Sequence, residues 1–472
     1  MMLGTIFERF VQDSPISIMA RGTMQFALNR ATLDELFDTK AERQYTRELL
    51  FSTTVDLMSL VVCRIRPSVH AAYQARQDRI GVSVKALYDK LSHMEPALSA
   101  GLVEYSADRL RPVIRAMRAS SQPLLPGYNV RILDGNHLAG TERRLKELRA
   151  VNGGALPGQA LCVLDAAYRL VTHVFCIEDG HAQEREFLPD VLPLVQRRDL
   201  WLADRNFCTA AFLLGIAERL GFFVIRQHAQ TFHWQRLGRR RCCGRIDTGL
   251  VFEQAVEIKG PDGRTLRARR ITVRLDQPTR DGDQEIHVLT NLPKKVTAQK
   301  VAMLYRGRWT IETVFADLEK TLSAEIDTLA YPKAALFGFC VALLAANVQA
   351  TVMAALSAAH GRSQIDDKVS LYYVADEISG TYRGMMIAIP EKHWRIFEKP
   401  GTQEMARTLK HLASHVRLAV FRKHKRGPKK TRGKKRRGKF IAHVSTARVL
   451  ANRTRRRTAR TQGTEKTAKS AA

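Results

Sequence analysis

The sequence is short of acid. It sets 46 Asp plus Glu against 76 Lys plus Arg over 472 residues, a formal net charge of +30. That imbalance does not suit an average enzyme and points to a polyanionic partner, nucleic acid before membrane. It is also poor in organised cysteine. The seven cysteines are odd in number, irregularly spaced and contain no C-x-x-C, which excludes a disulfide framework and fits a reduced, intracellular protein. The vicinal Cys242 and Cys243, near His228 and His233, do not readily share tetrahedral geometry, so a zinc site is not expected there. The N-terminus lacks a basic segment followed by an apolar one, so no signal peptide is read and a cytoplasmic location is expected. One apolar run, 334–358, approaches membrane-spanning length, but it contains Asn347 and Gln349 and reads as a buried core helix; no membrane partner is expected.

The positive charge is concentrated. Residues 421–472 carry 20 Lys plus Arg and one Glu, so +19 of the +30 lies in this tail. It has almost no apolar periodicity, is expected to be disordered when free, and suits salt-dependent, sequence-independent DNA binding. Residues 1–125 read as a mostly helical domain whose short helices and small-residue breaks resemble a helix-turn-helix DNA-binding unit. After the linker PLLPGY (123–128) the pattern changes. Short apolar runs at 130–133, 159–166, 170–177, 200–203 and 222–225, with helical stretches between the later ones, give the order β-β-β-α-β-α-β. That order defines an α/β domain with a mixed sheet over 126–228. Residues 229–296 alternate polar and apolar and read as an all-β insertion. The domain resumes over 297–360, and 361–420 looks helical.

The stretch Lys300 to Leu322 has no proline and only one glycine, Gly307. Thr297 is a fitting N-cap, and one long helix is expected over 297–324. At roughly 100° per residue, Tyr305, Arg308 and Glu312 fall within an arc of about 60°. A phenol, a guanidinium and a carboxylate thus share one face. Asp134 (in DGN) and Asp204 (in DRN) each follow a short apolar strand and are expected at its C-terminal end. Three carboxylates delivered by two strand ends and a helix can surround two hard divalent cations, which prefer oxygen ligands. Such a pair activates the attacking oxygen and neutralises the leaving oxygen of a phosphodiester.

YRGRWTIETVF at 305–315, DRNF at 204–207 and LDG at 133–135 resemble the DDE transposases of bacterial insertion sequences, in particular the insertion sequence four family. The resemblance runs from about residue 30 to residue 360, and the Y-x2-R-x3-E spacing is its specific part. It implies a ribonuclease H-like catalytic domain interrupted by the β insertion, beside the N-terminal helical domain and basic tail read from the pattern and charge. It also implies Asp134, Asp204 and Glu312 as a triad holding two Mg²⁺, with Mn²⁺ as a substitute. Tyr305 and Arg308 would contact DNA phosphates near the cleaved end. The activity implied is cutting the ends of a DNA element and joining them to target DNA. The partners are double-stranded DNA at the terminal inverted repeats and the target, with a dimer in the synaptic complex, in a bacterial, nucleoid-associated setting. The family pattern ends in Lys seven residues after the Glu; here that position is Glu319, and Lys320 follows, rotated about 80° from Glu312 on helical geometry. Lys320 remains a candidate DNA contact through its long stem. Trp309 and Trp201 are candidates for stacking on a base. The competing readings are a catalytically inactive DNA-binding relative or regulator, and another nuclease on the same fold.

Overall fold

From Asn129 to Thr290 the alternation of apolar side chains becomes one sheet. In the computed structural model, which describes residues 3–44, 48–142, 144–151, 153–228, 234–279, 282–424 and 443–454, the strands are β1 (Asn129–His137), β2 (Ala155–Leu156), β3 (Gln159–Asp165), β4 (Leu170–Ile177), β5 (Asp199–Ala203), β6 (Phe222–Arg226), β7 (Trp234–Leu237), β8 (Arg241–Ile246), β9 (Gly249–Lys259), β10 (Thr265–Leu275), β11 (Glu285–Thr290) and β12 (Val444–Ser445). Ten of them form a single sheet in the order β4-β3-β1-β5-β6-β11-β10-β9-β7, with β8 also on β9. β1, β3 and β4 form an antiparallel meander, and β5 and β6 run parallel to β1. The expected strand–helix order therefore appears, joined by a short strand, β2. The insertion does consist of strands, but it continues the same sheet because β11 pairs with β6.

Period-two alternation decides which side chains face which layer. Ile132, Leu200, Leu202 and Val224 face a layer containing helices Phe51–Val62, Ala298–Arg306 and Pro332–His360. Leu133, Trp201, Ala203 and Phe223 face the opposite layer, with helix Ala210–Glu218. Helix Pro96–Ala116 packs on β4 and on Pro332–His360, so the N-terminal helical region shares contacts with the sheet domain. Pro332–His360 is long and apolar enough to cross a membrane by length and composition, yet 83% of its apolar window is buried. Its Asn347 explains the polar interruption. The side chain accepts from Val171 N at 2.8 Å and donates to Val171 O and to Ser106 Oγ, both at 2.9 Å. It thereby satisfies backbone groups on β4, the outer strand of the sheet among the described residues.

Three expectations need correction. The single helix over 297–324 is two, Ala298–Arg306 and Trp309–Thr321. At the joint, Arg308 N donates to Tyr305 O and Thr310 N to Gly307 O, three residues back, which tightens the turn. Gly307 is the residue that permits it: a Cβ there would lie 3.0 Å from Leu304 O and 3.2 Å from Leu124 Cδ1. Second, Asp134 is not at the end of its strand. β1 runs on to His137 because β3 is long enough to keep pairing with it. Third, the tail is not featureless throughout. Residues 443–454 fold back: β12 pairs parallel with β2, helical residues follow over 446–454, and Arg448 pairs with Asp179 at 2.5 Å. Residues 421–424 are ordered too, with Arg422 bridging Val369; the disorder expected over the rest of 421–472 concerns 425–442 and 455–472, which lie outside the described residues.

Candidate active site

The register places the two aspartates side by side. Leu133 and Ala203 are the last residues that β1 and β5 pair with each other, so Asp134 and Asp204 are the next residue on each strand path. Both continue the face of Ile132 and Leu202, the face that the two helices cover. Sheet periodicity alone therefore turns both carboxylates toward helix residues 298–321.

The helices meet them with the residues the spacing singled out. Tyr305 Oη donates to Asp204 Oδ1 at 3.1 Å. Arg308 Nη1 donates to Asp134 Oδ2 at 2.8 Å, and its Nη2 to Glu312 Oε1 at 2.6 Å. One guanidinium thus joins a strand carboxylate to a helix carboxylate, using the planar fork that lysine lacks. The Arg308 side chain is 8% exposed, that of Asp134 16% and that of Glu312 51%. Its Nε is buried without a partner. Glu312 therefore faces outward at the rim, while Arg308 and Asp134 form the floor.

The electrostatics follow from this packing. The Asp134 carboxyl is pushed up to about 6. Burial is the main cause; Glu312 and Asp204 add like charge, opposed by Arg308 and the Gly135 N–H. Tyr305 is raised by burial and by Asp204. Arg308 is held in its charged form: burial works against it, but Asp134, Tyr305, Asp204 and Glu312 together prevail.

The donor set is that of a hard divalent cation, all carboxylate oxygen. Among the described residues, no three His, Cys, Asp or Glu side chains stand close enough to hold one ion. Arg308 sits between Asp134 and Glu312 and supplies the positive charge there. The chemistry of the carboxylates suits a hard cation, and Asp134 and Glu312 are bridged here by the guanidinium of Arg308.

The remaining sequence candidates separate. Trp309 is 58% exposed and lines a groove of 1160 Å³ on the other flank of its helix, together with Lys320, Arg169 and Tyr372. Lys320 pairs with Asp317 at 3.7 Å on that flank and does not join the acids. Trp201 is 1% exposed, so it is a core residue and is not available for stacking on a base. Glu319 is exposed on its helix.

Several neighbours were not found from the sequence. Arg64 donates to the carbonyls of Glu319, Lys320 and Leu322 at 2.9–3.0 Å and caps the C-terminus of the Glu312 helix. Asn136 bonds Glu325, which also accepts from Ala139 N at 2.6 Å. Glu184 and Asn206 meet behind the aspartates at 2.5 Å. Asn206, inside DRN, and Asn136, inside DGN, carried a local signal; Arg64, Glu184 and Glu325 depend on distant pairings.

Two aspartates on adjoining strands are thus faced by two successive helices, with Tyr305 on the first, Arg308 at the joint and Glu312 on the second. Residues 125–348 match the family model of the transposase DDE domain. The matching segment contains Asp134, Asp204, Tyr305, Arg308 and Glu312, and a transposase DDE domain implies a transposase function and DNA binding. No curated protein matches the chain.

Proposed function

We propose that the protein is a transposase of the insertion sequence four type, which cuts the ends of a DNA element and joins them to target DNA. The observation that carries this reading is the convergence of Asp134, Asp204 and Glu312 around Arg308 and Tyr305, within the segment that matches the transposase DDE domain. We read β1, β3, β4, β5 and β6 as a ribonuclease H-like core. Asp134, Asp204 and Glu312 would hold Mg²⁺ or Mn²⁺, two ions in all. When bound, these ions supply Lewis acidity toward the scissile phosphate and its attacking oxygen. The chain's own part is positional. Tyr305 holds Asp204, and Arg308 orients Asp134 toward Glu312. Arg308, once released from its carboxylates, presents its fork to a DNA phosphate. Exposed Trp309 and the flexible Lys320 stand at the neighbouring groove as DNA contacts. We assign 1–125 to DNA recognition and the basic tail to non-specific binding, and expect a dimer when two DNA ends are bound.

The test is incubation with linear DNA carrying the segments that flank the protein's own reading frame, in Mg²⁺, with Ca²⁺ in a parallel reaction. Cleavage at defined ends in Mg²⁺ alone is expected. Binding without cleavage under every divalent ion would favour an inactive relative or regulator of transposition.

A further inference from the structure

The aspartates are held from the helix side by Arg308 and Tyr305. On the sheet's other side the strand ends need a second tie. Beyond Leu133 and Ala203, β1 and β5 are no longer paired with each other, and Asp134 stays in the sheet through its pairing with Cys162 of β3.

Glu184 occupies that position. It opens the short 3-10 turn Glu184–Phe187, which packs against the turn Arg205–Phe207. Asn206 Nδ2 donates to Glu184 Oε2 at 2.5 Å. Arg185 Nη2 approaches Asn206 Oδ1 at 3.4 Å, which sets the amide so that its NH₂ faces Glu184. The other Glu184 oxygen lies over Gly135, where any Cβ would overlap it. One carboxylate thus touches the residue after Asp134 and is bonded by the residue two after Asp204. It approaches from the face of Leu133 and Trp201, opposite to Arg308.

We propose that Glu184, bonded by Asn206 and seated over Gly135, is a positioning residue that fixes the spacing of Asp134 and Asp204 for cation binding. This rests on the reading of those aspartates as a metal centre. Side chains that orient metal ligands typically change affinity about 10-fold to 100-fold when removed.

The test is Mn²⁺ binding to the full-length protein without DNA, by calorimetry, with thermal midpoints measured alongside. Glu184→Ala and Asn206→Ala are each expected to weaken Mn²⁺ by about 10-fold or more with the midpoint held. Gly135→Ala, which pushes the carboxylate away, should weaken it similarly and add nothing further to Glu184→Ala. Glu184→Gln keeps an acceptor for Asn206 and should restore most of the affinity. Unchanged Mn²⁺ binding in Glu184→Ala overturns the proposal. So does a loss that only tracks a fall in thermal midpoint, or a Glu184→Gln as weak as Glu184→Ala with Asn206→Ala at parental affinity. A folded parent that binds no Mn²⁺ removes the metal centre itself and the brace with it; Asp134→Asn then leaves the isotherm equally flat.

Discussion

Replacing Arg308 by methionine separates its role as a counter-ion from its role toward DNA. Arg308 is buried and bonded to both Asp134 and Glu312. Removing one member of a buried ion pair costs about 3–5 kcal/mol. The Glu312 half is mostly solvent-screened and adds little, so Asp134 carries most of the loss and about 3 kcal/mol is expected. At about 1 °C per kcal/mol for a chain of 472 residues, the thermal midpoint should fall by about 3 °C without metal. A divalent cation can then do what the guanidinium did, and in the variant it does not first have to displace Arg308. Mn²⁺ at 100 times its Kd stabilises by about 2.7 kcal/mol, so the gap between variant and parent should nearly close as Mn²⁺ saturates. Differential scanning calorimetry over a Mn²⁺ series reads this directly. A gap that stays constant or widens would refute the reasoning that Arg308 occupies the cation's place.

Further outcomes follow from the same geometry. The Asp134 carboxyl, raised to about 6 from an ordinary 3.8, binds a proton in competition with a cation; Mn²⁺ affinity should be full above pH 7 and fall as pH drops through about 6, by calorimetry at stepped pH. Affinity independent of pH between 5 and 8 would contradict this. Asn347→Ala strands the Val171 N–H and C=O and should cost about 3 kcal/mol in urea unfolding; a change under 1 kcal/mol would mean water replaces the amide. Deleting 455–472 removes six Lys or Arg and one Glu; it should weaken non-specific DNA binding and flatten its salt dependence while leaving metal-dependent cleavage unchanged.

The local pattern of the sequence carried the candidate site further than it carried the frame around it. Asp134 and Asp204 could be found because each follows an apolar run, and Tyr305, Arg308 and Glu312 because three and four residues bring side chains to one helix face. Their convergence also survives the break at Gly307, which the sequence did not show. That break depends on Leu124 and Leu304, one of which lies far away in the chain. The insertion was legible as strands, but its continuity with the central sheet depends on Val288 to Thr290 pairing with β6, a choice no period encodes. Arg64 and Glu184 reach the site from segments with no motif. The docked stretch 443–454 was hidden by its setting: Val444 and Val449 pack against Leu148, Ala155 and Ala330, but they stand amid a basic run whose composition argues against order.

The most direct test of the central claim is to load the protein with Fe²⁺ in place of Mg²⁺, generate hydroxyl radicals from the bound iron, and map where the backbone is cut. The account predicts cuts clustered at 132–136, 202–206 and 305–313, suppressed by excess Mg²⁺ and lost in Asp134→Asn. Cuts concentrated elsewhere, or an unchanged pattern in that variant, would contradict the assignment of these three carboxylates to one metal centre.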